Sequence, residues 1–330
     1  MRILLVKTSS LGDVIHNLPV VSDLVRSFPD AEIDWCVEES LADIPRLHAG
    51  VGEIIPVAIR RWRKGLTQKS TWREIGAFRE RLGAKLYDVV LDTQGLVKSG
   101  LVAWQARGVR CGYAAEAARE PFAARFYDLA FAIPRNVHAV QRNRWLAAAA
   151  LDYPVDLPLD YGIVAPKIAA DWLPEGRYAV LFSATSRDDK LWDEANWIVL
   201  ATALSQRGLL PVLPSGSAVE RQRAERIVAA LPGNALGNAL GNTPGAVLAP
   251  PLKLTALASL VARAALVVGV DTGLAHLAAA LRVPVIALYV STDPALTGVY
   301  GSGFVRNLGE RGRAPTVEEV LMVAEQALRV

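Results

Sequence analysis

An α/β fold built from two doubly wound, Rossmann-like domains is predicted by three features of the 330-residue sequence. Strand-length apolar runs alternate with segments of helical period. The alternation occurs twice, before and after a proline-containing stretch at 153–167. The strand runs are almost continuously apolar, as expected of parallel sheets covered by helices on both faces. The length also favours two domains over one, and the linker puts them at 1–163 and 164–330.

In the first series the expected strands are 3–6, 33–37, 89–91 and 110–113, with helices at 14–26 and 75–82. In the second, strands are expected at 179–182, 209–213, 265–270 and 285–289, and helices at 194–206, 218–230, 254–263 and 273–281. A closing helix at 317–328 could pack on either domain. Residues 233–242 read GNALGNALGN, a tandem repeat expected to be an expanded surface loop.

Composition narrows the functional class. The chain is 52% hydrophobic and 21% charged, which argues against disorder. Its net charge of +3 does not by itself suggest nucleic acid. Cys36 and Cys111 fit no metal spacing and no disulfide framework, and are expected to be buried small hydrophobes in a reducing compartment. The N-terminal apolar run stops at Lys7, too short for a secretory signal. No stretch approaches the ~18–20 apolar residues that span a bilayer. A cytoplasmic protein that at most touches a membrane surface is expected.

Four motifs carry candidate chemistry. KTSSLGDVIH at 7–16 links the first strand to the first helix, at the sheet edge where open α/β folds bind ligands. Here Ser10 and Asp13 crowd a turn that Gly12 keeps open. Asp13 can cap the helix, act as a proton acceptor, or both. IRRWRKG at 59–65 sets Arg60, Arg61, Arg63 and Lys64 around Trp62. This is either a solvated face, a nucleic-acid grip, or a site for a phosphate or carboxylate. The rest of the chain lacks a basic stripe, which disfavours nucleic acid.

ATSRDDKLW at 184–192 offers Thr185, Ser186 and Lys190, which suit a diphosphate, or else form a capped loop. A metal at Asp188 and Asp189 is not expected, because Arg187 and Lys190 adjoin them. GVDTGLAH at 269–276 ends a strand and opens a helix at Asp271, Thr272 and Gly273. Its first N–H groups form an anion site, with His276 one turn in. It is not a Walker loop. Glu220 either receives ribose hydroxyls or complements a helix dipole. Leu252 either presses on a base or packs in the core. Lys98, one turn after Asp92-Thr93-Gln94-Gly95, and Arg119, His138 and Arg142 add positive charge to the first half, or are solvated surface.

In this order the motifs resemble glycosyltransferase family 9, the lipopolysaccharide heptosyltransferases. The carrying segments are VKTSSLGDVIH (6–16), VAIRRWRK (57–64), DTQGLVKS (92–99), AREP (118–121), TSRDDKLW (185–192), VDTGLAHL (270–277) and STDP (291–294). The resemblance spans nearly the whole chain and departs at Val290-Ser291, where the family often has a glycine, and at the GNAL repeat. It implies a GT-B fold, two Rossmann-like domains facing a central cleft. The implied reaction is transfer of L-glycero-D-manno-heptose from ADP-heptose to the first Kdo of Kdo2-lipid A, with inversion and without metal or other cofactor.

The resemblance casts Asp13 as general base. Ser10, Arg60, Arg61, Arg63, Lys64, Lys98 and Arg119 would meet the acceptor. Thr185, Ser186, Lys190, Glu220, Leu252, Asp271, Thr272, Gly273 and His276 would hold the nucleotide sugar. It further implies transient contact with the cytoplasmic face of the inner membrane and no nucleic-acid partner. A family member with a later core acceptor, a sugar-nucleotide epimerase and a non-catalytic nucleotide-binding module are the alternatives.

Overall fold

Strands buried on both faces need apolar side chains at every position, and Ile3, Leu4, Leu5 and Val6 all have zero exposure. The computed structural model describes residues 1–173, 175–232 and 245–329. It divides into two units, Met1–Val164 and Ala165–Val330. The GNAL repeat at 233–242 lies outside the described residues.

The first unit runs β1 (Arg2–Val6), α1 (Leu11–Ile15), α2 (Leu18–Ser27), β2 (Glu32–Glu38), α3 (Asp43–Arg46), β3 (Ile54–Val57), α4 (Ile59–Trp62) and α5 (Lys69–Gly83). It continues through β4 (Leu86–Asp92), α6 (Val97–Gln105), β5 (Arg107–Tyr113), a 3-10 stretch at Pro121–Phe126, β6 (Leu129–Phe131) and α7 (Ala139–Leu151). The helix expected at 14–26 is two helices. Pro19 sits in the first turn of α2 and has no N–H to continue the ladder from α1.

The second unit runs β7 (Tyr178–Phe182), α8 (Glu194–Gln206), β8 (Leu210–Leu213), α9 (Ala218–Ala229), β9 (Val247–Leu248), α10 (Leu254–Ala262), β10 (Leu266–Val270), α11 (Gly273–Ala280), β11 (Val285–Leu288), β12 (Val305–Leu308) and α12 (Val317–Ala327). The closing helix belongs to this unit and not to the first. Val317, Val320, Ala324 and Ala327 are buried in one cluster with Trp197, Leu204, Ile286 and Leu288. Among the described residues no helix is long and apolar enough to cross a membrane.

Both sheets are parallel. The first has the order β3-β2-β1-β4-β5-β6, and the second β9-β8-β7-β10-β11-β12. Each reads 3-2-1-4-5-6 within its own unit, the Rossmann order. The order reverses between β1 and β4, and again between β7 and β10. At such a reversal, connections leave to opposite sides and open a crevice beyond the carboxyl ends of the strands. The segments leaving those ends are 7–13 and 93–98 in the first unit, and 183–190 and 271–276 in the second. These segments hold most of the motifs singled out from the sequence.

Candidate functional site

In the first unit the two turns at the reversal are stitched together. Lys7, 6% exposed, donates from Nζ to the Thr93 carbonyl at 2.8 Å, and Nζ lies 3.4 Å from Asn143 Oδ1. The Thr8 N–H and hydroxyl both donate to Gln94 Oε1, at 2.7 and 2.8 Å. Ser10 caps α1 from an extended conformation, which turns its N–H and hydroxyl toward the third helical residue, Asp13. Both donate to Asp13 Oδ2 at 2.9 Å, and Arg119 approaches the same oxygen at 3.9 Å. Among the described residues Oδ1 receives no hydrogen bond. One oxygen of the carboxylate thus completes the capping box while the other stays open.

Electrostatics favour the ionised form of Asp13. Burial would raise its pKa, but the Lys7 charge, the two Ser10 hydrogen bonds and Arg119 outweigh burial and hold it below the ordinary value of 3.8. Lys98, on the first turn of α6, donates to Ser9 Oγ at 2.8 Å. Burial lowers the Lys98 pKa and the neighbouring Arg60 charge adds to the effect, while Glu38, Asp13 and Glu120 oppose it. Ser10, Asp13, Arg60, Lys98 and Arg119 therefore share one electrostatic neighbourhood.

The basic cluster divides. Arg61 is held by two carboxylates, with Nε and Nη2 on Glu39 at 2.9 and 3.1 Å and Nη1 on Glu74 at 2.7 Å. Trp62 donates to Glu74 Oε2 at 2.9 Å and packs edge-on against Phe78. These two residues pin the segment to the unit. Arg60, Arg63 and Lys64 are exposed and form no ion pair among the described residues. Arg142 is engaged internally, donating to the Ala117 and Pro134 carbonyls and lying over the Tyr113 ring. Its charge serves packing rather than an open site.

In the second unit the centre is Asp271. Its backbone oxygen accepts from Thr185 Oγ1 at 3.0 Å. Its Oδ2 accepts from Lys190 Nζ at 2.6 Å and from Thr292 Oγ1 at 2.7 Å. Next along, Thr272 is the extended N-cap of α11, Gly273 opens the helix, and His276 is buried one turn in. The Lys190 charge is thus bound to Asp271 and α11 begins two residues after it, so that a cation and the open N–H groups of a helix belong to one turn, an arrangement suited to an anion. Ser186 is exposed on the same loop, and Arg187 pairs with Asp189. Among the described residues no group of three His, Cys, Asp or Glu side chains gathers to hold a metal.

Glu220 closes the start of α9. It accepts from the Gly216 N–H at 2.7 Å while its own N–H reaches Ser217 Oγ at 3.2 Å. Leu252 packs against the apolar cluster containing Tyr178, Val180 and Phe182. Three residues at the turns were not selected from the sequence. Lys7 could have been found as a lysine ending an otherwise apolar strand. Thr292 lies in the quoted STDP segment, but nothing local marks it as a partner of Asp271, 21 residues away. Arg223 ties the loop after β7 to α9 through the Ser183 and Trp192 carbonyls and Glu194, and no sequence signal marks it.

Residues 75–324 match the family model of glycosyltransferase family 9 (heptosyltransferase). The chain is 45% identical over 306 residues to lipopolysaccharide heptosyltransferase 1 of Pseudomonas aeruginosa, covering 91% of this chain and 82% of the relative. It superposes on Escherichia coli heptosyltransferase WaaC with ADP at a TM-score of 0.87 and 41% identity, covering 99% of this chain and all of that one. The match to the same E. coli protein with ADP-2-deoxy-2-fluoro heptose has a TM-score of 0.86 and 40% identity, covering 99% of each chain.

Proposed function

The chain belongs to glycosyltransferase family 9, the heptosyltransferases, and from that premise we propose that it transfers L-glycero-D-manno-heptose from ADP-heptose to the first Kdo of Kdo2-lipid A. In this reading the first domain (1–163) takes the acceptor and the second (164–330) the nucleotide sugar. The donor is supported by the ligands of the similar E. coli structures, ADP and an ADP-heptose analogue. The acceptor is supported by Arg60, Arg63 and Lys64, which form no ion pair among the described residues, and by Lys98, which feels the Arg60 charge, and Arg119; such cations suit a phosphorylated, carboxylate-bearing glycolipid. The protein works at the cytoplasmic face of the inner membrane.

The observation that carries the reading is the Asp13 carboxylate, with Oδ2 held by Ser10 and Oδ1 open. In a single displacement the acceptor hydroxyl oxygen attacks the anomeric carbon. Its proton passes to Oδ1, the bond from that carbon to the phosphate oxygen breaks, and ADP leaves with the bonding pair. Inversion at the anomeric carbon follows from one attack. General-base help contributes roughly 10²–10⁴-fold. Lys190 and the N–H groups opening α11 take up the charge that grows on the leaving diphosphate. Lys190 must exchange its Asp271 partner for phosphate oxygens, while Thr292 keeps a hydrogen bond on Asp271.

The test is an assay of purified protein with ADP-heptose and Kdo2-lipid A, with EDTA present. Heptosylated product, absent with Asp13→Ala, is the expected result. Product formed only on a longer core acceptor would move the enzyme to a later step. Nucleotide binding without any transfer would leave a non-catalytic module.

A further inference from the structure

We propose that the outer face of α4, α5 and α6, with the loop joining α4 to α5, docks on a bilayer of anionic phospholipid. The inference rests on the reading above that the acceptor is a membrane lipid, and it names the surface that meets the membrane. These three helices cover one face of the first sheet. Ile59 and Trp62 of α4, Phe78 and Leu82 of α5, and Val102 and Ala103 of α6 pack in one cluster with Leu4, Val6 and Val90. Their outward residues consequently share one solvent-facing layer.

That layer exposes large apolar side chains. Trp72 is 59% exposed and Leu66 52%, and the Trp72 indole N–H donates to the Leu66 carbonyl at 2.8 Å, which holds the pair together. On α6, Leu101 and Trp104 stand on one helix face, 43% and 58% exposed. Tryptophan favours the water–lipid boundary because an apolar ring carries one polar N–H. Large exposed apolar side chains gathered in one layer mark an interaction surface more than singly scattered ones do.

The charge fits the same partner. Residues 60–73 carry six cations (Arg60, Arg61, Arg63, Lys64, Lys69 and Arg73) and no carboxylate. Arg61 is engaged by Glu39 and by Glu74, which follows, so the other five are the cations that form no ion pair among the described residues. Basic side chains around exposed tryptophan and leucine are the pattern of a surface that lies on anionic lipid. Nucleic acid would also take cations and aromatic rings, but Leu66 and Leu101 offer it neither stacking nor hydrogen bonds. The face is also continuous with the acceptor turn, because Lys98 at the head of α6 reaches Ser9. A lipid-anchored sugar could enter from the docked face without leaving the bilayer.

The test is flotation of the full chain with phosphatidylethanolamine–phosphatidylglycerol vesicles and, separately, with phosphatidylcholine vesicles. The wild type should float with the first and weakly with the second. The double variant Trp72→Ala/Trp104→Ala and the double variant Lys69→Gln/Arg73→Gln should each lose about tenfold in partitioning. Both should keep the wild-type melting temperature and wild-type turnover on a deacylated, water-soluble acceptor. Unchanged partitioning of both variants overturns the docking surface. So does loss of turnover on the soluble acceptor, which would place these residues in the site. Retention on duplex DNA with no vesicle binding would replace the lipid by nucleic acid. A wild type that floats but transfers no heptose would refute the proposed function and leave the docking surface standing.

Discussion

Replacing Asp13 by asparagine separates the capping role of the carboxylate from its proposed role as general base. Asparagine keeps one side-chain oxygen that can accept from the Ser10 N–H or hydroxyl, as Asp13 Oδ2 does at 2.9 Å. The cap of α1 should survive with a loss of at most about 1 kcal/mol. What disappears is a group able to hold a proton taken from the acceptor. The expected fall in kcat is roughly 10²–10⁴-fold, or about 3–5 kcal/mol of barrier. ADP affinity should be unchanged, because Lys190, Asp271 and Thr292 all belong to the second unit. Turnover measured by product formation, beside ADP titration by calorimetry, separates the two effects. The wild-type pH profile adds a check. A carboxylate depressed below 3.8 stays ionised through the whole neutral and mildly acidic range. Asp13 therefore places no acid limb above that value, and its stabilising charge is lost only as pH falls from there through the folded pKa. An asparagine variant that turns over within about tenfold of wild type at saturating acceptor would remove Asp13 from the chemistry.

Further outcomes follow from neighbouring contacts. Lys7→Met removes the cation that most opposes the burial of Asp13, so the acid limb of kcat should move up in pH; an unmoved limb would show that Arg119 and Ser10 suffice. Lys190→Met should raise the ADP dissociation constant by about 10–100-fold, the worth of one charge-assisted hydrogen bond, with EDTA making no difference; calorimetry showing wild-type affinity would count against the diphosphate role. Arg144→Leu leaves Asp23 buried without its partner at 2.6 Å and should cost about 3–5 kcal/mol in urea unfolding. Asp23→Leu added to it should recover part of that loss, and a double variant no more stable than the single would argue that the pair acts through more than its charge.

Much of the architecture was readable because central strands of a parallel sheet are apolar along their whole length. β1, β7, β10 and β11 sit mid-sheet or next to it, and their runs are unmistakable. The edge strands of the second sheet were missed for the opposite reason, and those of the first, IIPV and LAF, because runs of four and three residues are too short to stand out. β12 reads VRNL with Arg306 and Asn307 exposed, and β9 is two residues long. One uncovered edge relaxes the demand for apolar side chains, and periodicity has nothing to register. Within the turns, Ser10 and Asp13 were legible because a cap and its third residue are local in sequence. Arg61 could not be told from Arg60, since its partners Glu39 and Glu74 are 22 and 13 residues away. The Lys190–Asp271 pair spans 81 residues. Such pairings are consequences of strand order, which brings β7 beside β10 before any side chain meets another.

The placement of α12 bears on how the chain is made. The first unit has all its parts once residue 164 has been synthesised, and can complete its core while translation continues. The second cannot, because Val317, Val320, Ala324 and Ala327 cover Trp197 and Ile286 and are added only after every strand of its sheet. During synthesis a finished lobe is thus followed by a sheet whose flank is bare. That interval is when chaperones would find the chain most exposed, and when a premature stop codon would cost the second unit while sparing the first.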